Sequence, residues 1–258
     1  PLIFYYGHTA TFFINKFLLA GLIEQRIDPR LESMFAVGVD EMSWDDLDET
    51  HYNWPTITEL RAYRQQVKTR VVQFIQDMPL ELPISWGSPA WTILMGIEHE
   101  RIHLETSSVL IRQLPLSVVQ SQPRWQHCPH IRHQPNTVPT NQLLPVAAAT
   151  IQMGKPDSDA TYGWDNEYGQ REIKLETFQA SKYLVSNAEF LEFVLAGGYQ
   201  HPQWWSTEGQ EWLTFTKADK PTFWQGDIPQ TDTLRLRLMT KEIAMPWDWP
   251  VETNQLEA

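Results

Sequence analysis

Between Glu105 and Asp157 the chain has no acidic residue, and prolines stand at positions 115, 123, 129, 135 and 139. Proline removes a backbone donor and fixes its own φ, so such a stretch sustains neither a long helix nor a central strand. It reads as an irregular connector over 115–142. The expected organisation is a helical domain over 1–142 that includes this connector, then a second domain over 143–258.

Before the connector the apolar residues recur at helical spacing. A first helix is expected from about His8 to Ile23, with Phe12, Ile14, Leu18, Leu19 and Leu22 spread widely enough for a mostly buried element. A second follows Trp54-Pro55 and runs from about Thr58 to Met78, where Pro79 ends it. The third has the clearest start, with Ser88 as N-cap and Pro89 in the first turn, and it continues to Pro115. Three helices joined by loops predict a bundle.

Beyond the connector the runs shorten. Leu143 to Met153 and Arg171 to Phe178 read as strands. Ser186 to Ala196 reads as a helix with a Ser186–Glu189 capping box, stopped by Gly197-Gly198. The remainder, rich in Trp, Gly and Pro, predicts an irregular α+β domain.

Charge narrows the function. Twenty Lys and Arg against 32 Asp and Glu leave a formal net charge of −12. That is the wrong sign for a nucleic-acid footprint. The longest apolar run, Phe12 to Ile23, is interrupted by Asn15 and Lys16 and is too short to span a bilayer. A single cysteine, Cys128, excludes an internal disulfide framework and points to a reducing, cytoplasmic setting. Because the chain opens on Pro1, it reads as an internal piece of a longer protein.

The third helix contains His99-Glu100-Arg101-Ile102-His103-Leu104-Glu105. At about 100° per residue, His99 and His103 fall roughly 40° apart on one face, so both imidazoles can reach one metal ion. A third ligand must come from another helix, and His8, which opens an apolar helix, is the best candidate. An i, i+4 histidine pair is, on its own, more often a surface or core feature than a ligand pair.

The same residues fit the zinc-peptidase pattern H-E-x-x-H, in which the Glu is a general base. Against that reading, Val109 stands where a third His would extend the motif, and no carboxylate follows Glu105 for more than fifty residues. Glu98, Arg101 and Glu105 have the spacing of an ordinary ion-pair ladder, which points Glu105 away from the histidine face. His127, Cys128, His130 and His133 lack the paired thiols of a structural zinc site. The acidic run from Asp40 to Glu49 lacks the Gly and terminal Glu of a calcium loop.

His8 with the later His-x-x-x-His-x-Glu resembles the DinB-type bundle of the sulfoxide synthases that make thiohistidines. Gly163-Trp164-Asp165-Asn166-Glu167, Ser186-Asn187-Ala188-Glu189-Phe190, Gly197-Gly198-Tyr199 and Trp204-Trp205-Ser206 resemble their formylglycine-generating-enzyme-like (C-type-lectin-like) domain. Pro1 to His8 and Phe35 to Asp45 resemble the ovothiol branch in particular.

The resemblance implies a mainly α DinB-like bundle followed by a truncated α+β domain, with ferrous iron, Fe(2+), on His8, His99 and His103. It implies reaction of L-cysteine with L-histidine and O2, with the cysteine sulfur joined to a histidine ring carbon and oxidised to the sulfoxide. Arg61 and Arg64 resemble paired arginines that hold the cysteine carboxylate, a task suited to a planar guanidinium fork. The family's first bundle helix would precede Pro1, and its active-site tyrosine and any methyltransferase domain would follow Ala258. Two alternatives stay open: the ergothioneine branch, acting on trimethylhistidine, and a catalytically silent metal-binding bundle.

Overall fold

The computed structural model describes residues 2–36, 53–123, 138–228 and 230–258. The chain divides into two compact units, one of residues 1–110 with 152–173 and one of residues 111–151 with 174–258.

The first unit is helical, with α1 (Leu2–Leu19), α2 (Pro29–Met34), α3 (Ile57–Asp77) and most of α4 (Pro89–Gln113). Ala10 and Ile14 of α1 pack with Leu31, Phe35, Leu60, Tyr63 and Val67 in one buried cluster. Full burial of a side chain such as Ile14, Leu31 or Leu60 contributes about 1.5–3 kcal/mol. Thr11, Tyr63 and Glu32, polar groups buried beside this cluster, are satisfied. The Thr11 and Tyr63 hydroxyls lie 3.1 Å apart. The buried Glu32 carboxylate accepts from the Ile27 and Asp28 amides and from Arg26.

The caps explain the helix limits. Thr56 accepts from the Glu59 amide at the start of α3, and Ser88 accepts from the Ala90 amide at the start of α4. Helix α1 begins six residues earlier than its periodicity suggested and stops before Leu22 and Ile23. Gly21, at φ +66°, turns the chain, and the Leu22 amide reaches back to the Phe17 carbonyl. Helix α2 was not anticipated: it has only six residues, although Asp28 caps it and Pro29 opens it.

Beyond the connector the expected strand over 143–153 is two strands, β1 (Leu143–Val146) and β2 (Ala149–Met153). The expected strand over 171–178 is likewise β3 (Arg171–Leu175) and the start of β4 (Phe178–Ser181). β1 pairs with β4 antiparallel, and β2 pairs with β3. A third sheet joins β5 (Trp224–Gln225), β6 (Arg235–Arg237) and β7 (Glu242–Ala244). Helix α5 (Asn187–Leu195) carries the expected Ser186–Glu189 capping box and ends at Gly197, φ +80°. Helix α6 spans Thr207–Thr216.

The core of the second unit is Val194, Tyr199, Trp205, Trp224, Leu234, Leu236 and Met245. Asn187 fastens α5 to it, donating to the Pro246 carbonyl and accepting from the Trp224 indole. A helical region followed by a small-sheet α+β domain is the expected fold class. The acidic run Asp40–Glu49 and the His127, Cys128, His130 and His133 group lie outside the described residues.

Candidate metal centre

His8 lies on α1, and His99 and His103 lie one turn apart on α4. Two glycines set how closely α1 packs, Gly96 against α4 and Gly7 against Phe35 at the end of α2. A Cβ on Gly96 would stand 2.0 Å from the Phe13 ring, so only glycine admits Phe13 of α1 against α4 three residues before His99. A Cβ on Gly7 would stand 2.6 Å from the Phe35 ring. That approach brings the Phe35 carbonyl to the next residue, where it accepts from His8 Nδ1 at 2.8 Å.

One ring nitrogen from each of His8, His99 and His103 lies within 4.8 Å of the others. The His99 and His103 Nε2 atoms are 3.0 Å apart. Two nitrogens each about 2.1 Å from one ion and roughly at right angles would have that spacing. His8 and His99 are buried and His103 is half-buried. Because the Phe35 carbonyl engages His8 Nδ1, Nε2 is the atom that could hold a metal there, the arrangement by which an outer partner fixes a ligand's tautomer. His99 is held instead by stacking, its ring 3.7 Å from the Phe12 centroid and within 10° of parallel. Tyr5 stands 5.2 Å from His103.

Burial, then the neighbouring His103, His8 and Lys16, lowers the His99 pKa to about 3. Burial and His8 lower that of His103 to about 4. Both rings therefore stay neutral at physiological pH, as metal ligation requires. The Nδ1 atoms of His99 and His103 are buried without a hydrogen-bond partner. The donor set fits a divalent metal: three imidazoles from two helices with converging nitrogens. Three-histidine sites suit zinc as well as iron.

Arg61 and Arg64 line one side of a cleft of about 500 Å3, with Tyr6, Phe13, Lys68 and Glu100. None of the three histidines lines it. Arg64 is committed to the bundle: it donates to the Tyr6 carbonyl at 2.5 Å and to the Thr9 hydroxyl at 2.9 Å. It also lies over the Tyr6 ring and 3.8 Å from Glu100. Arg61 is exposed. The Glu98–Arg101 rung of the expected ladder forms at 2.7 Å, and Glu105 is exposed.

The sequence reading missed Phe35, Phe12, Gly7 and Gly96 as the residues that set the histidines. The one signal for the glycines was their position, one residue before His8 and three before His99. A second cavity, of about 630 Å3, has His99 in its wall with Phe12, Trp86, Trp91, Tyr162 and Trp164. The Tyr162 hydroxyl is buried there without a partner, and burial, with Glu98 next, pushes its pKa up.

Residues 1–107 match the DinB superfamily, and residues 129–232 match the sulfatase-modifying factor enzyme 1-like domain. The chain is 26% identical to Ergothioneine biosynthesis protein 1 of Neurospora crassa over 205 residues, which cover 75% of the chain and 23% of that protein. It is 25% identical to the Hercynine oxygenase of Mycolicibacterium smegmatis over 210 residues, 79% of the chain and 46% of that protein. Against the Hercynine oxygenase of Mycolicibacterium thermoresistibile it is 30% identical over 79 residues, 31% of the chain and 18% of that protein. The chain thus spans less than half the length of the curated relatives it matches. The two domains in this order, together with these relatives, support assignment of the chain to the ergothioneine/ovothiol sulfoxide synthase family.

Proposed function

We propose that the protein carrying this chain is an iron-dependent sulfoxide synthase, which uses O2 to join a thiol sulfur to an imidazole ring carbon and leaves that sulfur as a sulfoxide. The observation that carries this reading is the three-histidine cluster in the DinB-like bundle, all ligand nitrogens within 4.8 Å. Ferrous iron at His8, His99 and His103 would supply the redox chemistry with dioxygen. The three imidazoles bring no negative charge, so the site favours an anionic thiolate as a further ligand. Phe35 holds the His8 tautomer, and Phe12 holds the His99 ring.

The substrate pair we propose is L-cysteine and L-histidine, giving 5-histidylcysteine sulfoxide. Arg61, exposed at the cleft, is the residue we assign to the cysteine carboxylate. Arg64 lies beside it and uses its remaining donors, with its position set by Tyr6 and Thr9. A second reading is supported by the names of the relatives: an ergothioneine-type synthase acting on trimethylhistidine with another thiol donor. Among the described residues no helix is long and apolar enough to cross a membrane. We place the protein in the cytoplasm because one cysteine suits a reducing compartment.

Product mass spectrometry on the protein that carries this chain tests the reading. It would be supplied with ferrous iron, O2 and cysteine, and with histidine or trimethylhistidine in turn. A sulfoxide adduct from histidine supports the ovothiol-type pair, and turnover only with trimethylhistidine supports the second reading. No adduct from either, at full iron loading, leaves a metal-binding bundle without this activity.

A further inference from the structure

Arg237, on β6, is only 5% exposed. Nη2 of its guanidinium donates to the Leu114 carbonyl at 2.9 Å, while Nε is buried with no partner. Among the described residues no carboxylate forms an ion pair with it. The cross-strand residue is Glu242, but that carboxylate faces Arg235, 3.7 Å from its Nε. A buried cation without a counter-charge is costly.

A second arginine adjoins it. Arg112, in the Ile111–Gln113 end of α4 that belongs to this unit, donates from Nε and Nη2 to the Arg237 carbonyl at 3.1 and 2.7 Å. It also grips Glu252 through two hydrogen bonds of 2.7 and 2.6 Å and lies 3.6 Å over the Phe223 ring. Both arginines line a cavity of about 420 Å3 whose wall includes Leu114, Thr222, Phe223 and Glu242. Three arginines (112, 235 and 237) face two carboxylates (242 and 252), so one positive charge is left over.

We propose that this cavity binds a small carboxylate as a monoanion, anchored on Arg237. The guanidinium fork matches a planar carboxylate, and a single negative charge balances the single excess positive charge. Leu114 and the Phe223 ring offer an apolar wall for the carbon end of the ligand, and Thr222 offers a hydroxyl. The volume admits a molecule the size of an amino acid or larger. A dianion would overshoot the charge balance. This site lies wholly in the second unit and does not depend on the metal centre.

The test is titration of the chain with sodium acetate, and separately with inorganic phosphate, at constant ionic strength balanced with chloride. Saturation transfer from protein to the acetate methyl group and the thermal midpoint are the readouts. Saturable acetate binding that raises the midpoint, with weaker binding of phosphate, is expected. Arg237→Gln should abolish it. Glu252→Gln should do the opposite: it removes a competing carboxylate from Arg112 and tightens acetate about fivefold. That gain of affinity is readable even where Arg237→Gln fails to fold. Non-saturable acetate binding, preference for phosphate, or unchanged affinity in Glu252→Gln would each overturn the proposal.

Discussion

His8 and Phe35 are joined by a hydrogen bond of 2.8 Å from the imidazole Nδ1 to the backbone carbonyl, and Gly7 is what lets them meet. The bond fixes which nitrogen of His8 faces His99 and His103. It also ties helix α1 to the C-terminal end of α2, so one ligand is oriented by the bundle's own packing.

Gly7→Ala would place a methyl group 2.6 Å from the ring of Phe35, which is fully buried and has no room to retreat. The expected cost is about 1–3 kcal/mol of overpacking. Metal affinity should fall with it, because the Phe35 carbonyl moves away from His8. Denaturant midpoints and a metal titration on the same preparation check both effects.

Gly96→Ala places a Cβ 2.0 Å from the Phe13 ring, so the ring or the α1–α4 spacing must shift near His99. This substitution should be among the more damaging single changes in the bundle. Phe13→Leu added to it should recover part of the loss, giving a coupling of about 0.5–3 kcal/mol in a double-mutant cycle. Strict additivity of the two changes would contradict the proposed contact.

The helices were legible where their caps are explicit. Ser88 with Pro89, and Ser186 with Glu189, each marked a start that the structure keeps, and the start expected at about Thr58 after Trp54-Pro55 falls at Ile57. Helix α1 was harder, because Leu22 and Ile23 continue its apolar periodicity while a backbone property of Gly21 ends it. On α4 the apolar residues run round most of the helix, yet burial selects Ala90, Trp91, Ile93, Gly96 and His99, leaving Ile102 and Val109 exposed. That His99 and His103 share one helix face was legible from spacing alone. The Phe35 carbonyl was not, because a backbone acceptor carries no mark in the sequence.

Acid should destabilise the metal-free chain through its histidines. The folded-state values of His99 and His103 are about 3 and about 4, below the ordinary 6.5. Below pH 6.5 the unfolded chain takes up protons that the folded chain refuses, so stability present above that pH is lost as pH falls toward 4 and then 3. The denaturant midpoint of the metal-free chain should drop between pH 7 and pH 5. The drop should shrink in a variant carrying His99→Gln and His103→Gln. An equal drop in that variant would assign the effect to other groups.

Arg61 and Arg64 should separate by what they touch. Arg61→Gln alters an exposed side chain, so folding stability should stay within about 0.5 kcal/mol. KM for the thiol substrate should rise in the protein carrying this chain, while kcat changes less. Arg64→Gln loses bonds to Tyr6 and Thr9 and should cost about 1–3 kcal/mol of stability as well. An Arg61→Gln variant with unchanged KM would remove Arg61 from substrate binding.

The most direct test of the central claim is anaerobic titration of the chain with ferrous iron, with His103→Ala as control and cysteine added last. The three-histidine centre predicts one iron per chain, loss of that binding in His103→Ala, and a change in the iron spectrum when cysteine arrives. A folded chain that binds no iron, or that binds it equally well in His103→Ala, would contradict it.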